Sequence, residues 1–374
     1  MSATILIVED EFAVARGIQY ALQQEGYEVT VQVRRRNPRP SQSGHAAARL
    51  PSQRRACCRT MRLLPTLDDL RAGEKRALAR ALAAIETEAG AESLAALLDQ
   101  ACAAPRAHVL GVTGPPGVGK STLTSHLIGR VRGRGATVGV IAVDPSSRRS
   151  GGALLGDRAR IATDPADRGV YVRSMAARDR LGGLSDQTIA AMVLMRAIYD
   201  CVVVETVGIG QSEADISFVA DTLLLCIQPG SGDSLQFMKA GIMELPDIVA
   251  VTKSDLGDPA QRAKADVEGA LGLVATAGRR IPVVLVAAAQ NLGLDALDEA
   301  IEQHRDWLAH EQRLARRRAQ QESVWVEESI RTRFGSVGLK VARPIMPGMG
   351  GPFSVERTLS RELQARLGKG APSS

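Results

Sequence analysis

One short segment limits what this chain can fold into. Gly114, Pro115, Pro116, Gly117, Val118, Gly119, Lys120 and Ser121 stand between the apolar run HVLGVT and a helix-like stretch that begins STLTSHLIGRV. The spacing G-x-x-x-x-G-K-[ST] after a strand and before a helix is the pattern of a phosphate-binding loop. Its glycines let backbone amides close around phosphate oxygens, and the helix N-terminus adds the positive end of its dipole. Lys120 is expected to reach the β- and γ-phosphates. The Ser121 hydroxyl is placed for magnesium, and Thr122 follows in the first turn.

A loop of this kind needs a sheet behind it, and the sequence supplies one. From His108 onward, apolar runs of strand length alternate with helical stretches: HVLGVTG, TVGVIAVD, GVYVRSM, CVVVET, TLLLCI, IVAVTK and IPVVLVAAA. Continuous rather than alternating apolar runs indicate strands buried on both faces. The expected fold is an α/β P-loop NTPase with a mostly parallel sheet flanked by helices, extended by helices at both ends.

The expected divisions are 1–33, 34–62, 63–107, 108–304 and 305–374. Residues 1–33 read as a strand, a helix and a strand with Glu9, Asp10 and Glu11 after the first, and resemble the opening unit of a response-regulator receiver domain. No third strand with a phosphoacceptor follows, so this reads as a fragment. Residues 34–62 hold nine arginines and no acid, with much Pro, Ser and Gln, and read as a disordered linker. Residues 63–107 are rich in Ala, Leu, Glu and Arg and read as two or three amphipathic helices punctuated by Gly73 and Gly90. Residues 108–304 form the nucleotide domain. Residues 305–374 form a charged helical extension.

Charge distribution narrows the partners. The net charge is +6, and removing the nine linker arginines leaves −3. With no aromatic residue among those arginines for base stacking, nucleic acid is not an expected partner. No apolar run reaches about 18 residues, so no membrane span is expected. The five cysteines contain no C-x-x-C pair, in keeping with a reducing cytoplasm. The five histidines lack metal-ligand spacing and read as ordinary surface or core residues.

A phosphate loop also needs an acid at the end of a neighbouring strand to hold the metal. Asp144 and Glu205 both qualify, ending TVGVIAVD and CVVVE. Glu205-Thr206-Val207-Gly208 has the form of the D-x-x-G element of GTPases with glutamate in place of aspartate, and Gly208 can offer its amide to a γ-phosphate. Base choice follows from Thr252-Lys253-Ser254-Asp255, which has the form of N-K-x-D. Its aspartate accepts hydrogen bonds from the guanine N1 and N2 groups, so guanine is expected over adenine. Threonine in place of asparagine removes an amide donor. Ala287, Ala288 and Ala289 fall where GTPases carry the loop that contacts the guanine oxygen. GTP or GDP with magnesium is therefore the expected ligand.

Three longer segments, DPSSRRSGGALLGDRAR, ETVGIGQSE and GSGDSLQFMKAGIMELPDIVAVTKSD, resemble the MeaB/ArgK group of GTPases over about residues 63 to 330. The resemblance implies that Asp144 and Asp157 help organise magnesium from a first switch, with Arg160 in the same region, and that Glu205 does so from a second. It implies that Lys239 lies in a third mobile loop that communicates with a partner. That partner would be a cobalamin-dependent acyl-CoA mutase such as methylmalonyl-CoA mutase, whose cofactor loading and protection the nucleotide state would gate, and the GTPase would be a homodimer. Ile209 follows Gly208 where Ras-like enzymes place a water-orienting glutamine, and Gln211 lies two residues further on. Slow intrinsic hydrolysis, accelerated by the partner, is the expectation. An ATP-dependent kinase or ATPase of a basic amino-acid transport system is the alternative, and a guanine-reading Asp255 speaks against it. A nickel-insertion GTPase is a weaker alternative, since no His-rich or Cys-containing metal site is present.

Overall fold

The computed structural model describes residues 4–9, 28–33, 64–73, 75–87, 92–144, 161, 163–164, 166–177, 184–206, 215–230, 246–272, 280–346 and 350–368. The chain divides into two compact units, Met1–Met61 and Arg62–Ser374. In the first, strands β1 (Thr4–Glu9) and β2 (Glu28–Val33) pair in parallel. The helix expected between them and the linker at 34–62 lie outside the described residues.

The second unit opens with three helices, α1 (Leu67–Arg71), α2 (Lys75–Thr87) and α3 (Glu92–Ala103). Thr66 starts α1 by a reciprocal cap: its hydroxyl accepts from Asp69 N, and the Asp69 carboxylate accepts from Thr66 N. Gly73, at φ +86°, ends that first helical stretch, a conformation that glycine adopts without strain.

All seven apolar runs become strands of one parallel sheet. They are β3 (His108–Thr113), β4 (Val138–Asp144), β5 (Val170–Ala176), β6 (Cys201–Thr206), β7 (Thr222–Ile227), β8 (Ile248–Val251) and β9 (Val283–Leu285), in the order β5-β4-β6-β3-β7-β8-β9. Every residue of β3, β7 and β8 is buried, as strands covered on both faces require. On one side of β3 the strands follow in chain order as β7, β8 and β9, and on the other lie β6, β4 and β5, so the chain leaves β3 toward one side and later fills the other. The loop after β3 sits at this switch, the place where open parallel sheets bind ligands.

Helices complete both layers. Helix α4 (Lys120–Gly133) and α7 (Leu294–Ala309) pack on one face against Leu110, Val112, Val140, Val203 and Leu224. The other face carries α1 to α3, α5 (Asp186–Ile198), α8 (Arg313–Ala342) and α9 (Pro352–Gly368), which bury Val109, Ile141, Val202 and Leu223. Helix α6 (Asp258–Leu271) covers β8 and β9.

The C-terminal helices are held by polar locks as well as by apolar burial. Arg318 of α8 donates through Nε and Nη2 to the fully buried Asp221 at 2.8 and 2.6 Å. Gln321 donates to Ser217 O and Ala220 O. Asp99 of α3 accepts from Phe353 N and Ser354 N and so caps the start of α9. Helix α8 breaks at Gly335, whose φ of +69° lies outside the helical region.

Candidate functional site

The site is built at the C-terminal ends of β3, β6, β8 and β9. After Thr113 the chain turns through Gly114 at φ +134°, and a Cβ there would sit 2.0 Å from the Cys226 carbonyl oxygen of β7. Gly117 at +77° and Gly119 at +95° complete the left-handed turns that deliver the chain to α4, with Gly119 at its N-cap. Helix α4 therefore begins with no side-chain cap, and its first amides face the loop.

Lys120 and Ser121 open that helix. The Lys120 ammonium is buried and donates to Gly114 O at 2.6 Å and Pro115 O at 2.8 Å, so it folds over the loop's own carbonyls. Ser121 Oγ donates to Glu205 Oε1 at 2.7 Å. Glu205 is reached because β6 lies beside β3, pairing Glu205 with Val112. Thr206, next along β6, donates to Thr113 Oγ1 at 3.0 Å and ties the two strand ends together. That threonine pair carries no motif signature, and only the strand register brings the two hydroxyls together. Burial under the loop pushes the Cys226 thiol up to about 12, with Lys120 pulling it down and Glu205 pushing it up. The thiol is therefore a packing group and not a nucleophile.

The Thr252–Asp255 loop lies at the end of β8. Thr252 donates both its amide and its hydroxyl to Ile227 O, each at 2.8 Å, which fastens this loop to β7 beside the phosphate loop. The threonine has a structural task here that needs no amide side chain. Lys253 takes the left-handed conformation, φ +54°, and its ammonium meets Gln228 Oε1 at 2.5 Å. Asp255 is exposed within the turn Ser254–Leu256. Ser254 N donates to Val286 O at 3.2 Å and so joins this loop to the one carrying Ala287, Ala288 and Ala289. Ala287 pairs with Leu292 across that second loop, and Gly293 closes it at φ +73°, where a Cβ would meet Leu285 O at 1.9 Å.

The structure thus brings together Gly114 to Thr122 and Glu205, and brings Lys253 and Asp255 beside Ala287 to Ala289. Asp144 closes β4 opposite Ala176. Asp157, Arg160, Gly208, Gln211 and Lys239 lie outside the described residues. Among the described residues no cluster of three or more His, Cys, Asp or Glu could hold a metal. The hydroxyl and carboxylate of Ser121 and Glu205 are the oxygen donors that suit a hard cation.

Comparison with known proteins bears directly on this arrangement. Residues 78–337 match the model of the family described as methylmalonyl Co-A mutase-associated GTPase MeaB. The chain belongs to this family. A putative GTPase of Pyrococcus abyssi is 40% identical over 274 residues, which span 71% of this chain and 82% of that protein. GTPase ArgK of Escherichia coli K12 is 34% identical over 282 residues, covering 71% of this chain and 83% of that one. A crystal structure of a LAO/AO transport system kinase superposes with a TM-score of 0.56 at 27% identity, covering 81% of this chain and 96% of that chain. This MeaB-family chain is therefore a P-loop GTPase. The family match starts at residue 78, so the receiver-like reading of residues 1–33 gains no support from it. No helix among the described residues is long and apolar enough to cross a membrane.

Proposed function

We propose that this chain binds GTP with magnesium and uses its hydrolysis as a chaperone of a cobalamin-dependent acyl-CoA mutase, methylmalonyl-CoA mutase being the representative client. The observation that carries the nucleotide reading is the Ser121–Glu205 contact of 2.7 Å at the head of α4, where a loop hydroxyl and a strand-end carboxylate converge. Ser121 and Glu205 would hold the magnesium, with Asp144 and Asp157 assisting from the preceding strand and the segment after it. Bound there, the ion supplies neutralisation of developing phosphate charge.

The remaining work falls to the protein. The backbone N–H groups of Gly117 to Thr122 donate to the phosphate oxygens, Pro115 and Pro116 having no N–H to give, and Lys120 exchanges its two carbonyl partners for phosphate oxygens. Asp255 accepts from the guanine edge, Lys253 lies along the base, and the backbone of Ala287 to Ala289 meets the guanine oxygen. Gly208 senses the γ-phosphate, while Gln211 and Lys239 belong to the loops that respond to it. Because Ile209 cannot polarise water, unaided hydrolysis is slow and the client accelerates it. The mutase role rests on the family description. A cytoplasmic, homodimeric protein is the form in which it would act.

A second reading, ATP-dependent phosphorylation for a transport system, draws on the printed title of the similar crystal structure. One titration separates the two. Fluorescent GTP and ATP analogues with magnesium are offered to the wild type, Lys120→Ala and Asp255→Ala. GTP is expected to bind at least about tenfold tighter than ATP, with the preference lost in Asp255→Ala and overall affinity lost in Lys120→Ala, since each removes a charge-assisted contact. Equal or tighter ATP binding by the wild type would remove the guanine assignment and favour the kinase reading. For the client, the rate of GTP hydrolysis is measured with and without the mutase, and an unchanged rate counts against the pairing.

A further inference from the structure

The sheet has a second concave site at the edge opposite the phosphate loop. A cavity of about 330 Å³ opens between α4 and α7, over the N-terminal ends of β3 and β6. From its floor at Leu110, about 10 Å of strand along β3 separates it from the phosphate loop. Leu110 and Val203 form its floor, and Leu127, Val131 and Ile301 its walls. His108 also lines it, with its Nε2 engaged by Thr222 Oγ1 at 2.7 Å, so this polar group is satisfied within the protein.

The mouth carries acids and arginines, and their pairing is uneven. Asp200 accepts from Arg106 at 2.7 Å and from both the amide and the hydroxyl of Thr137. Asp298 takes both Arg130 and Arg134, and Glu302 takes Arg134 at 3.0 Å. The carboxylates are thus occupied. Arg305 Nη1 stands 3.7 Å from Glu302 Oε2, beyond hydrogen-bond distance, with a side chain 55% exposed. An apolar chamber of drug-like size with a cation at its entrance is the form that small amphipathic ligands select.

We propose that this cavity is a binding site for a small molecule with an apolar body and a single carboxylate, seated between α4 and α7 with its carboxylate on Arg305. The body displaces water from Leu110, Leu127, Val131, Val203 and Ile301, where burial of apolar area supplies affinity. The planar guanidinium donates paired N–H bonds to the carboxylate oxygens, which fixes orientation. The site is independent of the nucleotide reading, since no residue of the phosphate loop contributes to it.

Calorimetric titration of the full chain with octanoate, octanol and acetate tests this, beside Ile301→Trp and Arg305→Gln. Ile301 is half-buried and Arg305 is exposed, and unchanged thermal unfolding of each variant verifies its fold. Octanoate is expected to saturate at one per chain, with octanol about tenfold weaker and acetate not binding, in line with one charge-assisted contact. Ile301→Trp, which fills the chamber, abolishes octanoate binding, and Arg305→Gln brings octanoate down to the affinity of octanol. Absence of saturable octanoate binding, or binding that Ile301→Trp leaves intact, overturns the site. Octanol binding as tightly as octanoate overturns the carboxylate assignment.

Discussion

At Gly114 the chain passes so close to β7 that substitution tests the phosphate loop without touching its charged groups. A Cβ would lie 2.0 Å from the Cys226 carbonyl oxygen, and φ +134° is a region that other residues adopt at a cost. Gly114→Ala is expected to lose about 3 kcal/mol of stability or to displace the loop outright. Thermal unfolding and GTP titration read the two outcomes, and a variant with wild-type values in both would show that the close approach is not maintained in solution. Glu205→Gln asks a narrower question. The amide oxygen can still accept from Ser121, but the formal charge is gone, so the magnesium concentration needed for half-maximal GTP binding should rise at least about tenfold. An unchanged magnesium requirement would remove Glu205 from the metal's surroundings. These residues were legible in the sequence because the glycine and lysine spacing has a single mechanical purpose. The hydroxyl pair of Thr113 and Thr206, and the two hydrogen bonds that Thr252 donates to Ile227 O, were not legible. Each depends on which strands become neighbours, and that is decided by register and not by local pattern.

At the scale of elements, the sheet could be read because its central strands are near-continuous apolar runs, which have no stable place except between two covering layers, while β5, with Arg173 and Ser174, is mostly half-buried at the sheet's edge. The attachment of α9 could not be read. Asp99 and the amides of Phe353 and Ser354 are some 250 positions apart, and nothing at either position signals the other. Gly351 belongs to the same joint, since a Cβ there would meet the Asp99 carboxyl carbon at 2.4 Å. Trp325 and Phe353, with ring centroids 4.5 Å apart, add the apolar half. Asp99→Ala removes the cap from α9 and is expected to cost about 1 kcal/mol. The loss should appear in hydrogen exchange as faster opening of α9 with β3 to β7 unchanged. Uniform acceleration across the chain would instead mean that α9 and the sheet open together, and that the cap serves the whole domain.

Across the whole molecule, a buried polar chain joins the sheet to its C-terminal helices. His108 Nε2 and His304 Nδ1 both meet Thr222 Oγ1 at 2.7 Å, and His304 Nε2 reaches Asp247, which also receives Arg317. A single hydroxyl can donate to one ring and accept from the other, so the chain is satisfied only while one facing nitrogen lacks a proton. Burial holds the His108 imidazole down at about 4; Asp221 pulls it up, while Arg305, His304 and Arg318 push it further down. The unfolded histidine titrates near 6.5, so between about pH 6.5 and 4 the unfolded chain binds the extra proton and the folded chain does not. Stability is therefore full above about 6.5 and falls as pH drops, reaching a loss on the order of 3 kcal/mol near pH 4. Burial also opposes ionisation of Asp247, but the His304 hydrogen bond and the Arg317 charge outweigh it and hold the carboxyl at about 2. That depressed group contributes above the unfolded value near 4 and fails only below it, so the two losses fall in separate windows. Chemical denaturation at pH 7, 5.5 and 4.5 should show the decline, and His108→Gln, which cannot titrate, should flatten it while lowering stability at pH 7. A slope that survives the substitution would assign the acid sensitivity to other groups and leave His108 as packing alone.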